Sequence, residues 1–171
     1  MRTAGRTGAW TALVGLAVAV SACGNGTSIT TPFVTTPAVL QHGPEYEVKT
    51  GPVAGLGTVL IDGEGITVYM FNNDVRGQPS RCYNISAVQW PPLVLPPGVA
   101  APVAGPGIRP TLLGTAPGPD GTTQITYNGW PLYLWPPDRD PGMATGQALT
   151  NAGGLWYVLT PEGRPVRTAA A

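Results

Sequence analysis

A shift of 64 residues lays one part of this chain on another: ITVYMFNND at 66–74 falls on WPLYLWPPD at 130–138. Gly65 then meets Gly129, Tyr69 meets Tyr133, Phe71 meets Trp135 and Asp74 meets Asp138. The chain contains an internal duplication, so an architecture proposed for one copy has to serve the other.

The flanks of both copies read as β-hairpins. GTVLID and ITVYMF surround Gly63-Glu64-Gly65, and TTQITY and WPLYLW surround Asn128-Gly129. Gly and Asn supply the positive φ that a tight β-turn requires. YEVKT at 46–50 precedes the first hairpin and PTLLGTA at 110–116 the second, while WPPLVL from Trp90 and WYVLTPEG from Trp156 follow them. Each unit, about 46–95 and 110–163, is expected to be four short strands. Prolines demote the 90–95 strand to an edge. A helical turn is an option for CYNISAVQ at 82–89, and LPPGVAAPVAGPG at 95–107 reads as a Pro-rich surface loop or linker between the units. The expected fold is all-β: two tandem four-stranded antiparallel repeats forming a sandwich or partly closed barrel with pseudo-twofold symmetry.

The first 22 residues read as an address. Arg2 and Arg6 precede an apolar stretch from Ala9 to Val20, too short for a membrane span of ~20 residues but suited to a signal peptide. It ends in VSAC, which resembles the bacterial lipobox. That resemblance implies diacylglycerol on Cys23 and a mature chain that starts there; a plain secretory peptide would also place small residues at the cut but needs no cysteine. Two acyl chains at ~0.8 kcal/mol per buried CH₂ hold a protein stably on a bilayer. Residues 23–44 form the lipidated N-terminus and a flexible tether. The remainder, 45–171, is the size of a single domain.

Arg2 and Arg6 leave with the signal, so seven basic residues face nine acidic ones in the mature chain, a net charge of −2. That balance lacks the basic patch of a nucleic-acid binder. His42 is the only histidine and lies in the tether, which speaks against histidine triads and histidine metal sites. Haem-attachment, zinc-cluster, phosphate-loop and dinucleotide motifs are absent. No cofactor is expected, and neither DRD at 138–140 nor NND at 72–74 approaches a full calcium ligand set.

DGEGITVYMFNND, WPPL, DGTTQITYNGWPLYLWPPDRDPG, TGQ and GGLWYVLTPEG together resemble the bacterial secreted-repeat lipoprotein family, defined by a duplicated Tyr-x-(Phe/Trp/Tyr)-x-x-Asp motif. The likeness runs from about Gly57 to Gly163, interrupted by the Pro-rich loop. It implies an envelope location, lipid-anchored on the extracytoplasmic face of the cell membrane, and no particular activity. In much of the family a second cysteine is expected four residues after the position of Cys82; here that place holds Ser86. With Cys23 lipidated, Cys82 is an unpaired thiol, read either as a small buried apolar residue or as a reactive or intermolecular one. Redox work would need it exposed with a lowered pKa.

On a strand, Tyr69 and Phe71 share a face, as do Tyr133 and Trp135, which makes an aromatic ladder. Asp74 and Asp138 fall just past their strands, where a carboxylate accepts backbone N–H groups and closes a turn. The functional reading brings the two aromatic–carboxylate units to a shared groove for a sugar, with Trp90, Trp130, Trp135 and Trp156 available for stacking. The buried-core reading of those tryptophans stands beside it. The favoured function is a non-enzymatic binding or structural module of the cell envelope whose partner is an envelope protein or a cell-wall glycan. The alternative is a carboxylate-dependent hydrolase of wall polysaccharide that uses Asp74 with Asp138 or Asp140.

Overall fold

A computed structural model describes residues 43–82, 85–118 and 121–168. The signal segment, Cys23 and the tether up to His42 lie outside the described residues.

β1 (Glu47–Val53) pairs antiparallel with β2 (Gly57–Asp62), with Val48 opposite Asp62 and Val53 opposite Gly57. The chain then turns through Gly63-Glu64-Gly65 into β3 (Tyr69–Phe71). The Asp62 carboxylate fastens this turn by accepting the Glu64 and Ile66 N–H groups at 3.0 and 2.8 Å, and Gly65 takes the φ of +96° that a side chain would resist. A five-residue helix, α1 (Ile85–Gln89), occupies part of the stretch where a helical turn was an option.

In the second half, a 3₁₀ turn at Pro110–Leu112 leads into β5 (Leu113–Pro117), which pairs antiparallel with β6 (Thr123–Tyr127). Asn128 and Gly129, with φ of 49° and 77°, close a tight hairpin onto β7 (Trp130–Pro131). β8 (Thr150–Asn151) and β9 (Gly154–Val158) complete the domain. Among the described residues no helix is long and apolar enough to cross a membrane.

The all-β expectation holds, but the arrangement differs from two four-stranded repeats. With β4 (Val103–Ala104), the strands form three three-stranded sheets, ordered β2-β1-β4, β3-β9-β8 and β5-β6-β7, with no closed barrel. The fourth strand of each repeat pairs with the third strand of the other. β3 of the first repeat lies antiparallel to β9 of the second, with Phe71 opposite Trp156. Reciprocally, the Trp90 segment lies along 132–134: Leu93 N–H donates to Leu132 O at 2.9 Å and Leu134 N–H to Pro91 O at 2.9 Å. The exchange is stable because the third strands are buried on both faces and need long apolar neighbours, which the partner repeat supplies.

Two smaller expectations are also corrected. The prolines do not confine 90–95 to an edge, since Leu93 O also accepts the Ile125 N–H at 2.8 Å and Leu95 N–H reaches Thr123 O at 2.8 Å. The donors fall on the non-proline residues, so Pro91 and Pro92 cost no ladder bond there. Nor is 95–107 only a linker, because it contributes β4 (Val103–Ala104), a short strand parallel to β1.

Side-chain alternation along the third strands divides the core into two layers. Val68, Met70 and Leu132 join Val48, Leu60, Leu93, Ile125 and Leu159 in an aliphatic layer. Tyr69, Phe71 and Tyr133 point the other way, into a layer with Trp90 and Trp156. The layers share a backbone seam at the centre, where Tyr69 N–H donates to Tyr133 O at 2.9 Å and Tyr133 N–H to Tyr69 O at 3.0 Å.

Burial of Asp62 outweighs the N–H groups it accepts and raises its carboxyl pKa from 3.8 to about 6. The native state therefore holds this proton more tightly than the unfolded chain. The associated stability is complete below pH 4 and is lost as pH rises through about 6; Asp74, also raised, acts with the same sign. The denaturant midpoint should fall between pH 4 and 6.5, and Asp62→Asn, which keeps an acceptor at the turn, should flatten that slope. An unchanged slope in the variant would remove Asp62 as its source.

Candidate functional site

The duplicated motif converges on one place. Tyr69, Phe71, Asp74, Trp90, Tyr133, Asp138 and Trp156 are all buried, and Trp135 is half-buried at the end of the same assembly.

The rings form a column of four that alternates between repeats. Phe71 stacks on Trp156 with centroids 4.4 Å apart, Trp156 on Trp90 at 3.9 Å, and Trp90 on Trp135 at 4.3 Å, with interplanar angles of 22°, 1° and 25°. The two tyrosines meet the column edge-on, Tyr69 against Trp90 at 5.3 Å and Tyr133 against Trp156 at 5.1 Å. Such offset and edge-to-face pairs are each worth about 0.5–1.5 kcal/mol beyond the area they bury. The exchanged strands produce this column, because Trp156 reaches Phe71 only on β9 and Trp90 reaches Trp135 only on the segment beside 132–134.

Each motif tyrosine donates to the carboxylate of the other repeat. Tyr133 Oη donates to Asp74 Oδ2 at 2.7 Å, and Tyr69 Oη donates to Asp138 Oδ2. The second carboxylate oxygen closes a local loop: Asp74 Oδ1 accepts the Arg81 N–H at 2.7 Å and Asp138 Oδ1 accepts the Thr145 N–H at 2.9 Å. Both loops span seven residues. Thr145 adds its hydroxyl to Asp138 Oδ1 at 2.6 Å, and the Ser80 hydroxyl donates to Tyr133 Oη at 2.6 Å. The aspartates thus lock turns and also tie one repeat to the other.

Sequence reasoning missed Ser80, Arg81 and Thr145. The signal was an equal spacing, since Asp74 to Arg81 repeats as Asp138 to Thr145, but the partner in each case is a backbone N–H, which leaves no constraint on residue type.

Burial sets the electrostatics. The phenols of Tyr69 and Tyr133 are pushed well above their ordinary range, first by desolvation and then by the adjoining carboxylates. Asp74 is raised by its own burial, against the opposing effect of its bonds to Tyr133 and Arg81. Asp74 and Asp138 are 5% and 4% exposed, and every ring of the column except Trp135 has both faces in the core.

Trp130 packs on the aliphatic layer, away from the column, and Asp140 is exposed. Trp156 donates its indole N–H to Asn151 O at 3.3 Å, whereas the buried Trp90 indole has no partner among the described residues. Cys82 is a free, buried thiol in the aromatic layer. Burial, followed by the Asp74 charge, pushes it up to about 11, opposite to what a reactive thiolate needs. Gly146 lies at the position of Cys82 under the 64-residue shift, and a Cβ there would meet Trp90 at 2.6 Å and Tyr69 at 3.1 Å. No cluster of three His, Cys, Asp or Glu side chains gathers among the described residues.

A cleft of about 720 Å³ opens elsewhere, beside the first hairpin between β1 and the Pro141-Gly142 turn.

Residues 114–160 match the family Lipoprotein_15, described as a secreted repeat of unknown function. No curated protein and no solved structure matches the chain.

Two outcomes follow from this geometry. Tyr133→Phe leaves a buried carboxylate oxygen without its donor and should cost about 1–3 kcal/mol. In a double-mutant cycle with Asp74→Asn the two losses should be non-additive by at least ~0.5 kcal/mol in denaturant titrations, and strict additivity would mean the bond contributes nothing. Cys82 should resist iodoacetamide in the native protein at pH 8 and react once the chain is unfolded; fast native labelling would contradict its burial.

Proposed function

Taking as premise that the chain is an extracytoplasmic protein carrying a secreted repeat of this family, we propose that it is a lipoprotein anchored through Cys23 whose domain is a non-enzymatic binding or structural module of the envelope. One observation carries the non-enzymatic part: the phenols and carboxylates of the duplicated motif are bonded to each other in the core. A general acid or base has to come within hydrogen-bond reach of the atom it serves. Asp74 and Asp138 instead have both oxygens engaged by protein donors. The motif that defines the repeat is then a clamp between the two halves, and binding falls to the surface.

Anchoring rests on VSAC and the apolar segment before it. A diacylated Cys23 would hold the domain on the membrane by a chain of about twenty residues, long enough to reach several nanometres at ~3 Å per residue.

Two measurements test the reading. Cys23→Ser should abolish incorporation of an alkynyl fatty acid and move the protein from the detergent phase to the aqueous phase; continued labelling would refute the anchor. Purified wild-type protein should release no reducing ends from isolated cell-wall glycan. Release that Asp74→Asn or Asp138→Asn abolishes, in a variant that remains folded, would establish the hydrolase in place of the module.

A further inference from the structure

The duplication offers an internal control for the cleft beside the first hairpin. Under the 64-residue shift, the Gly65 turn and Pro141 correspond to the Gly129 turn and Gly77. In the second hairpin that junction is closed from the side. Gly77 N–H donates to Gly129 O at 2.8 Å, Arg76 Nε donates to Asn128 O at 2.8 Å, and the Arg76 guanidinium also bonds the Asn128 side chain. The space left there is about 360 Å³ and lies open to solvent. At the first hairpin the position of Arg76 is taken by Asp140, and the larger cleft remains.

Its walls are apolar: Pro52, Ile61, Pro106 and Pro141 line it, with glycines between them. Gly51 lets the Ile61 side chain lie against β1, since a Cβ there would meet Ile61 Cδ1 at 2.6 Å. Two opposite charges stand on the same side of β1. Glu47 and Lys49 both line the cleft, two residues apart, and make no ion pair with each other. Lys49, the chain's only lysine, gives one of its three donors to Gly63 O at 2.6 Å and has no other hydrogen-bond partner among the described residues. Glu64 also lines the cleft.

We propose that this cleft binds a short peptide with free termini and apolar side chains, its amino end toward Glu47 and its carboxylate toward Lys49. The assignment deepens the binding-module reading and rests on it. Residues two apart on a strand are separated by about 6.6 Å, close to the roughly 7 Å that two peptide residues span. The volume falls within the ~300–1,000 Å³ range of small-ligand sites. Proline and isoleucine surfaces take the apolar side chains, and the two charges set the direction of the chain. Lys49 already serves Gly63 O, so the amino terminus, toward Glu47, is the more firmly held end.

The test is an ¹H–¹⁵N NMR titration of the full chain carrying Cys23→Ser with the dipeptide leucyl-valine, its N-acetyl form and its C-terminal amide. The expected result is saturable shifts at the amides of Gly51, Gly65 and Gly142. Acetylation should weaken binding about tenfold or more, the loss of one charge-assisted contact, and amidation should weaken it less. Glu47→Gln should lower affinity for the free dipeptide and leave that of the acetylated form unchanged. The absence of shifts at those glycines with millimolar dipeptide would overturn the proposal, as would equal affinity for the free and acetylated forms. Neither result would touch the non-enzymatic reading, which the glycan assay decides separately.

Discussion

Two buried hydrogen bonds, Tyr69 to Asp138 and Tyr133 to Asp74, organise this domain, because each joins a side chain of one repeat to a side chain of the other. A carboxylate taken out of water is costly unless its oxygens are satisfied. Here one oxygen of each aspartate is satisfied within its own repeat by a backbone N–H seven residues on, and the other is satisfied only when the second repeat is docked. A single folded repeat would leave an aspartate and a phenol without partners. The polar pairs thus make the two halves dependent on each other, and the backbone exchange between Tyr69 and Tyr133 fixes their register at the same point.

The apolar part of the core obeys the same dependence. The third strands are buried on both faces, aliphatic on one and aromatic on the other, which a two-layer repeat folding alone could not cover. Exchange of the fourth strands supplies the missing cover and brings Trp90 and Trp156 face to face at 3.9 Å. Cooperativity is the physical consequence: a change in either motif is felt by both halves, since the column and the clamps alternate between them.

The two halves differ at the junction beside their second turns. Arg76 grips the second hairpin, while the first hairpin meets Pro141 and leaves a cleft with Glu47 and Lys49 on its wall. The core is constrained by mutual packing and hydrogen bonding, whereas turn residues outside it can change without breaking a shared contact. At this junction the copies differ, Arg76 in one place and Asp140 in the other, and only the first hairpin keeps the larger cleft.

The hairpins, the alternation of Tyr69 and Phe71 against Val68 and Met70, and the turn role of the aspartates were legible from the chain alone, because they depend on φ preferences and on the two-residue period of a strand. The location of Cys82 in a buried setting was one of two open readings for the same residue, since a lone cysteine has no pattern around it. The exchange of fourth strands was not legible. Sequential strands usually pair with their neighbours, and an exchanged strand carries the same apolar pattern as one that stays at home. The tyrosine–aspartate bonds were hidden for the same reason: spacing places each aspartate at the end of its own strand, and only the docking of the two repeats decides that its partner is the tyrosine 59 or 69 residues away. Local conformation was set by the sequence of each repeat, while the pairing between repeats, and with it the clamp and the cleft, was settled by the requirement that two half-covered cores cover one another.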